Sequence, residues 1–121
     1  MTQLGLVFLG GGLGSLARFF VGKYLPIQSI FHVPLGTLFA NIIASLILGL
    51  FMGLELNLKS PTNFRYFIAI GFCGGFSTFS TFSADTLALI QTNRTLEAFL
   101  NIIINVILCI LATFVGIYLT K

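Results

Sequence analysis

The stretch from Gly71 to Thr86 reads GFCGGFSTFSTFSADT, a glycine pair followed by a phenylalanine-serine-threonine repeat inside an otherwise apolar run. Phe76, Phe79 and Phe82 recur every third residue, as do Ser77, Ser80 and Ser83. An aromatic ring carries a negative face and a positive edge, so rings presented edge-on can coordinate a small anion; phenylalanines three apart also serve as plain packing. Two further sets of polar residues lie four apart. Thr37, Asn41 and Ser45 form one, and Asn101, Asn105, Cys109 and Thr113 the other, each making a single stripe along a helix. Such a stripe either ties helices together by hydrogen bonds or lines a narrow polar path. Two stripes beside a hydroxyl ladder favour the path. Their amides and hydroxyls can donate to an anion or accept from water, and no ring of carboxylates is present to attract cations.

The few ionisable groups within apolar stretches invite the same two-sided reading. Arg18 falls several residues inside the first apolar run, where a charge must reach water or a partner. It either snorkels towards the interface near Lys23 or marks an anion-attracting vestibule. Asp85 is the only acid well inside an apolar run. It is expected to be a helix-stabilising carboxylate hydrogen-bonded beyond a break, with a proton or cation site as the alternative. Cys73 and Cys109 have no metal-ligand spacing and are expected to be small buried apolar residues. His32 reads as solvated, and Glu55, Lys59 and Glu97 as interfacial charges.

The elements that must position these groups are transmembrane helices. With 121 residues, 57% hydrophobic content and nine charged side chains, the chain has too little polar surface for a soluble globule. At about 20 residues per span, four helices consume most of the length, so the expectation is a single four-helix transmembrane domain covering residues 1–121. Apolar runs place the spans at about 4–24, 34–55, 65–91 and 97–119. The first run has no basic residue ahead of it and no cleavage pattern, so it reads as a span rather than a signal peptide. Pro26, Pro34 and Pro61 fall in the first two connections, Asn93 and Arg94 mark the turn between the last two spans, and Tyr24, Tyr66 and Tyr118 fall at span ends.

The third span should be broken near its middle. A three-residue repeat drifts around a helix of 3.6 residues per turn, Gly74 and Gly75 are poor helix formers, and hydroxyls can bond the backbone groups a break frees. Broken backbone at membrane depth survives only against protein, water or an ion. Basic residues divide evenly: Arg18, Lys23 and Arg94 on one side, Lys59, Arg65 and Lys121 on the other. A chain with no basic bias can insert both ways, which permits an antiparallel homodimer about a two-fold axis in the membrane plane. Gly10 with Gly14, Gly49 with Gly53 and Gly71 with Gly75 offer close helix contacts.

Taken together, GGLGSLARF in the first span, PLGTLFANIIASLILG in the second and GFCGGFSTFSTFS in the third resemble the Fluc (CrcB) family of small bacterial fluoride channels. The resemblance spans the whole chain. It implies a fluoride-selective passive channel of the bacterial inner membrane, not an enzyme, built as an antiparallel dual-topology dimer with pores using both subunits. On this resemblance Asn41, Phe79 and Phe82 are pore residues, Ser80 and Thr81 neighbouring polar contacts, and Arg18 the vestibule arginine. The fourth-span stripe adds Asn105 and Cys109 to the path. The resemblance also implies a structural Na+ at the dimer centre, held by backbone carbonyls at the break, here assigned to Gly74 and Ser77. Ala44 stands where the family usually has glycine and Asp85 where it has glutamate, and the asparagines of the fourth span replace aromatic or hydroxyl residues. The rival readings are a dual-topology proton-coupled multidrug exporter, which needs a carboxylate that Asp85 supplies poorly, and a non-conducting subunit paired with a paralogue.

Overall fold

A computed structural model describes residues 2–25, 32–57 and 62–121, which places Pro26, Lys59 and Pro61 outside the described residues. Helix α1 (Gln3–Tyr24) starts at a Thr2 cap whose hydroxyl accepts the Gly5 N–H at 3.2 Å. Helix α2 spans Leu35–Asn57. The third span opens with α3 over residues 62–76, breaks at Ser77 and Thr78, and resumes as α4 (Phe79–Gln91). Helix α5 (Thr95–Thr120) completes the chain. At 1.5 Å per residue its 26 residues reach about 39 Å, ample for a hydrocarbon core of about 30 Å. Four segments are thus long and apolar enough to cross a membrane, and no strand occurs among the described residues.

Local chemistry accounts for the tight turn before α5. Asn93 takes a left-handed φ of 60°, the conformation asparagine tolerates better than most residues. Arg94 N–H then donates to the Leu89 carbonyl at 2.8 Å and Asn93 N–H to that of Ile90 at 3.1 Å. This is the doubly bonded helix stop that satisfies the last carbonyls of α4.

Within α3, residues Arg65–Cys73 form a π-helix, closed by i→i+5 bonds. The segment is nine residues long, against the single turn usual for this geometry. Sequence periodicity does not reveal it, because an all-apolar run carries no register mark. The glycine pair was expected to weaken the helix at this point, and the structure corrects that expectation. Gly74 is helical (φ −64°, ψ −36°), and the chain leaves the helix only at Ser77 (φ −71°, ψ 157°) and Thr78 (φ −151°, ψ 117°).

Gly75, though not Gly74, instead sets helix separation, together with glycines of the other helices. A Cβ on Gly14 would sit 2.8 Å from the Phe76 nitrogen, and one on Gly75 would strike the carbonyl of Gly11. Helix α1 therefore lies backbone to backbone along α3. Gly49, Gly53 and Gly116 do the same for α2 and α5, where a Cβ on Gly116 would lie 2.6 Å from the Leu50 nitrogen. All three four-residue glycine pairs are consumed inside the chain. A small core of Ala40, Ala44 and Phe76, flanked by Ala17, Val21, Ile47 and Phe72, sits directly beside the break.

Candidate functional site

The break is held by one side chain. Thr78 N–H donates to Asn41 Oδ1 at 2.8 Å, and Asn41 Nδ2 returns a long bond of 3.4 Å to the Thr78 carbonyl. The asparagine amide thus replaces the peptide partner that the helix would have provided. Two further hydroxyls complete the repair. Ser77 Oγ donates to the Cys73 carbonyl at 2.8 Å, and Thr78 Oγ1 caps α4 by accepting the Thr81 N–H at 3.2 Å. Two donors are thereby turned away from helical acceptors. Thr78 N–H would have served the Gly74 carbonyl and Thr81 N–H that of Ser77, so both carbonyls lose their i+4 partners.

A chain of amides leads from the break into α5. Asn41 Nδ2 donates to Asn105 Oδ1 at 3.2 Å, Asn105 Nδ2 to Asn101 Oδ1 at 3.0 Å, and Asn101 Nδ2 to Thr86 Oγ1 at 3.0 Å. Thr86 in turn donates to the Phe82 carbonyl at 2.8 Å. Each such bond is worth about 1 kcal/mol net, while each broken one would strand a buried polar group at a cost of about 1–3 kcal/mol. Among the described residues no buried side-chain nitrogen or oxygen lacks a partner.

Two cavities meet at Thr78. The smaller, about 260 Å³, is walled by Asn41, Ser45, Phe79, Phe82, Asn105 and Cys109 among others. The larger, about 620 Å³, is walled by Ser15, Arg18, Lys23, Thr37 and Thr81, and Thr78 lines both. The two rings of the smaller cavity lie 5.4 Å apart between centroids at 47°, with Phe82 9% exposed and Phe79 79% exposed. Phe79 therefore projects from the surface of the single chain, whereas Phe82 is part of its wall.

The sequence-derived site residues divide accordingly. Asn41, Phe79, Phe82, Asn105 and Cys109 share one cavity, while Arg18 and Thr81 share the other. Ser80 is exposed, its hydroxyl 3.2 Å from that of Thr78. Gly74 and Ser77 lie together on a third, smaller hollow of about 150 Å³ with Ala44 and Cys73, and Ser77 also lines the ring-lined cavity. Cys73 is buried, as expected, but Cys109 is half-buried on the cavity wall rather than enclosed. Asp85 accepts the Thr37 hydroxyl at 2.7 Å, a bond across helices. Ser45, read in the sequence only as part of the α2 polar stripe, lines the ring-lined cavity, and Thr78 was not singled out in the sequence at all. A hydroxyl residue just ahead of a helix start was the signal for Thr78, hidden by the more conspicuous phenylalanine period.

The family model of CrcB-like protein, Camphor Resistance (CrcB), matches residues 5–117. The chain belongs to the CrcB-like family. Relatives include a protein named fluoride-specific ion channel FluC from Pyrococcus abyssi, 45% identical over 96% of this chain and 94% of the relative. Proteins of the same name from Pyrococcus furiosus and Gloeothece citriformis are 41% and 42% identical, each alignment covering 100% of this chain and 98% of the relative. The CrcB-like match encloses every residue of both cavities, from Ser15 to Cys109. Family membership and four apolar spans together make this a multi-pass membrane protein.

Proposed function

We propose that the chain forms a fluoride-selective passive channel of the plasma membrane, releasing fluoride from the cytoplasm down its electrochemical gradient. The observation that carries this is the cavity in which the Asn41 amide donor and two phenylalanine rings converge on a helix break, in a chain aligned end to end with relatives bearing the fluoride-channel name. Fluoride entering there would exchange its water for the Asn41 NH2 group and the positive edges of Phe79 and Phe82. The 3.4 Å bond from Asn41 to the Thr78 carbonyl is the easiest to give up, being at the outer limit of hydrogen-bond length. Asn105 and Cys109 continue the path, Ser80 and Thr81 supply hydroxyls beside it, and Arg18 with Lys23 draws anions into the larger cavity. No step is chemical, so the protein would act without nucleotide or covalent intermediate and is not an enzyme.

The working unit is proposed to be two copies in opposite orientations. Phe79, almost bare on one chain, would be covered by the second copy and would complete its pore. The Gly74 and Ser77 carbonyls, both deprived of helical donors, fit a hard cation such as Na+, which neutral oxygens coordinate well. Paired across a two-fold axis they would hold that ion at the dimer centre and neutralise the broken helix ends. The exporter reading loses support from Asp85, which is committed to Thr37 and lies outside the ring-lined cavity.

The test is fluoride and chloride efflux from liposomes holding the purified chain alone, with a potassium ionophore to collapse the voltage. Rapid fluoride release without chloride is expected. Folded protein that releases neither ion would overturn the homomeric channel and turn attention to a paralogous partner.

A further inference from the structure

We infer that Asn101, braced by Thr86, is a positioning residue for the candidate pore, setting the direction in which the amides of Asn105 and Asn41 point. The inference rests on the channel reading of the cavity. Asn101 is 1% exposed, the most enclosed large side chain among the described residues, and it lines neither cavity, so it meets no permeating ion. Its importance lies in the polarity of the chain it joins.

Both ends of that chain are groups that cannot reverse. At one end the Thr78 backbone N–H can only donate, so Asn41 must present Oδ1 to it and keep its NH2 for other partners. At the other end the Phe82 carbonyl can only accept, so the single Thr86 hydroxyl proton is committed to it. Thr86 Oγ1 can then only accept from Asn101, which must show its NH2 to Thr86 and its Oδ1 to Asn105. Asn105 in consequence turns its NH2 to Asn101, where it is doubly held by Oδ1 at 3.0 Å and the backbone carbonyl at 3.1 Å. That leaves Asn105 Oδ1, and not its NH2, facing Asn41. The two ends agree on one sense, and every amide between them is fixed in it.

Without the Asn101 side chain, Asn105 Nδ2 keeps only the Asn101 backbone carbonyl at 3.1 Å and loses Oδ1, the acceptor that fixes the sense of its amide. A turned Asn105 would set its NH2 against that of Asn41, displacing the one amide donor the pore cavity takes from α2. The effect reaches the cavity through two residues, and the size of the side chain at 101 is not its cause.

The experiment combines fluoride efflux from proteoliposomes with the side-chain amide NMR signal of Asn41 in protein labelled with 15N-asparagine, the signal identified by its loss in Asn41→Asp. Asn101→Leu and the near-isosteric pair Thr86→Val and Thr86→Ser are compared with the wild type. Asn101→Leu and Thr86→Val are expected to slow fluoride flux roughly tenfold, about what losing one internal hydrogen bond implies, and to move the Asn41 signal. Thr86→Ser, which keeps the hydroxyl, should retain both. The Thr86 pair decides the matter if Asn101→Leu does not fold. Unchanged flux in folded Thr86→Val overturns the inference, and so does slowed flux with an unmoved Asn41 signal, since that is a packing effect. Wild-type protein silent for fluoride would sink the channel reading instead, and the Asn41 signal alone would then decide the positioning role.

Discussion

Phe79 and Phe82 are three residues apart in one repeat, yet they occupy opposite environments. Phe82 is packed into the wall while Phe79 stands clear of the chain, so replacing each by isoleucine separates packing from permeation. Both Phe79→Ile and Phe82→Ile should depress fluoride flux by roughly tenfold or more, because an aliphatic side chain has no positive edge to offset lost hydration. Phe82→Ile should also lower the stability of the single chain's fold, by on the order of 1 kcal/mol as for other buried shape changes, whereas Phe79→Ile should act on the contact with the second copy. Full flux in both variants would remove the rings from the mechanism. Cys109 offers a second probe at this scale. Its half-buried thiol lies on the ring-lined cavity, whereas Cys73 is enclosed on a different hollow. A small methanethiosulfonate reagent should therefore slow flux through the wild type and through Cys73→Ser, but not through Cys109→Ser; block that survives in Cys109→Ser would place the reactive thiol elsewhere. Pattern alone made the α2 stripe of Asn41 and the phenylalanine triplet conspicuous in an apolar run, and the family resemblance is what joined Asn41, Phe79 and Phe82 into one group, which here share a cavity. The sequence hid Asn101 and Thr86 among residues that equally well glue helices, since their value lies in hydrogen-bond direction, which composition does not carry.

At the scale of helices, the four spans could be read from apolar runs because water-excluded backbone has almost no other way to cross a bilayer. The break was legible too, although not its cause. Glycine in a soluble helix weakens it, but between membrane helices the absent Cβ is what lets backbones touch, and Gly74 and Gly75 remain helical. Ser77 and Thr78 make the break because Asn41, 37 residues away from Thr78 in sequence, accepts the N–H that α3 would have used. No local pattern could announce that pairing. The glycine contacts predict a sharp contrast within α1. Gly14→Ala puts a methyl group 2.8 Å from the Phe76 nitrogen and should destabilise the fold by about 1–3 kcal/mol, as overpacking does. Gly12→Ala meets nothing within 4 Å in the chain and should be neutral or better, alanine being the stronger helix former. Thermal aggregation in detergent ranks the two; equal midpoints would mean that α1 and α3 are not held at backbone distance.

For the whole molecule, the question is how a single chain that leaves Phe79 exposed beside the candidate pore would become a closed conduit. The glycine seams are spent within the chain, so the proposed second copy would have to dock through other surfaces, and Phe79 together with the hollow at Gly74 and Ser77 are the features it would complete. By the span order read from the sequence, Lys and Arg divide three and three between the two sides, a balance that would give insertion little reason to prefer one orientation. If both orientations occur, a cysteine placed at the α4–α5 turn, Asn93→Cys in a Cys73→Ser, Cys109→Ser background, should be labelled by an impermeant maleimide from each side of the membrane in comparable fractions. Labelling from one side alone would exclude the antiparallel pair. Sodium enters at the same scale. The carbonyls freed at the break leave partial negative charge at the proposed axis, and a cation held there by Gly74 and Ser77 would join the copies beside the ring-lined cavity, whose wall Ser77 shares. Replacing Na+ by a large organic cation should therefore lower dimer stability or open probability while the preference for fluoride over chloride stays the same. A change in ion choice would place the cation in the pore itself, and complete indifference to sodium would leave the freed carbonyls to water or to the facing subunit.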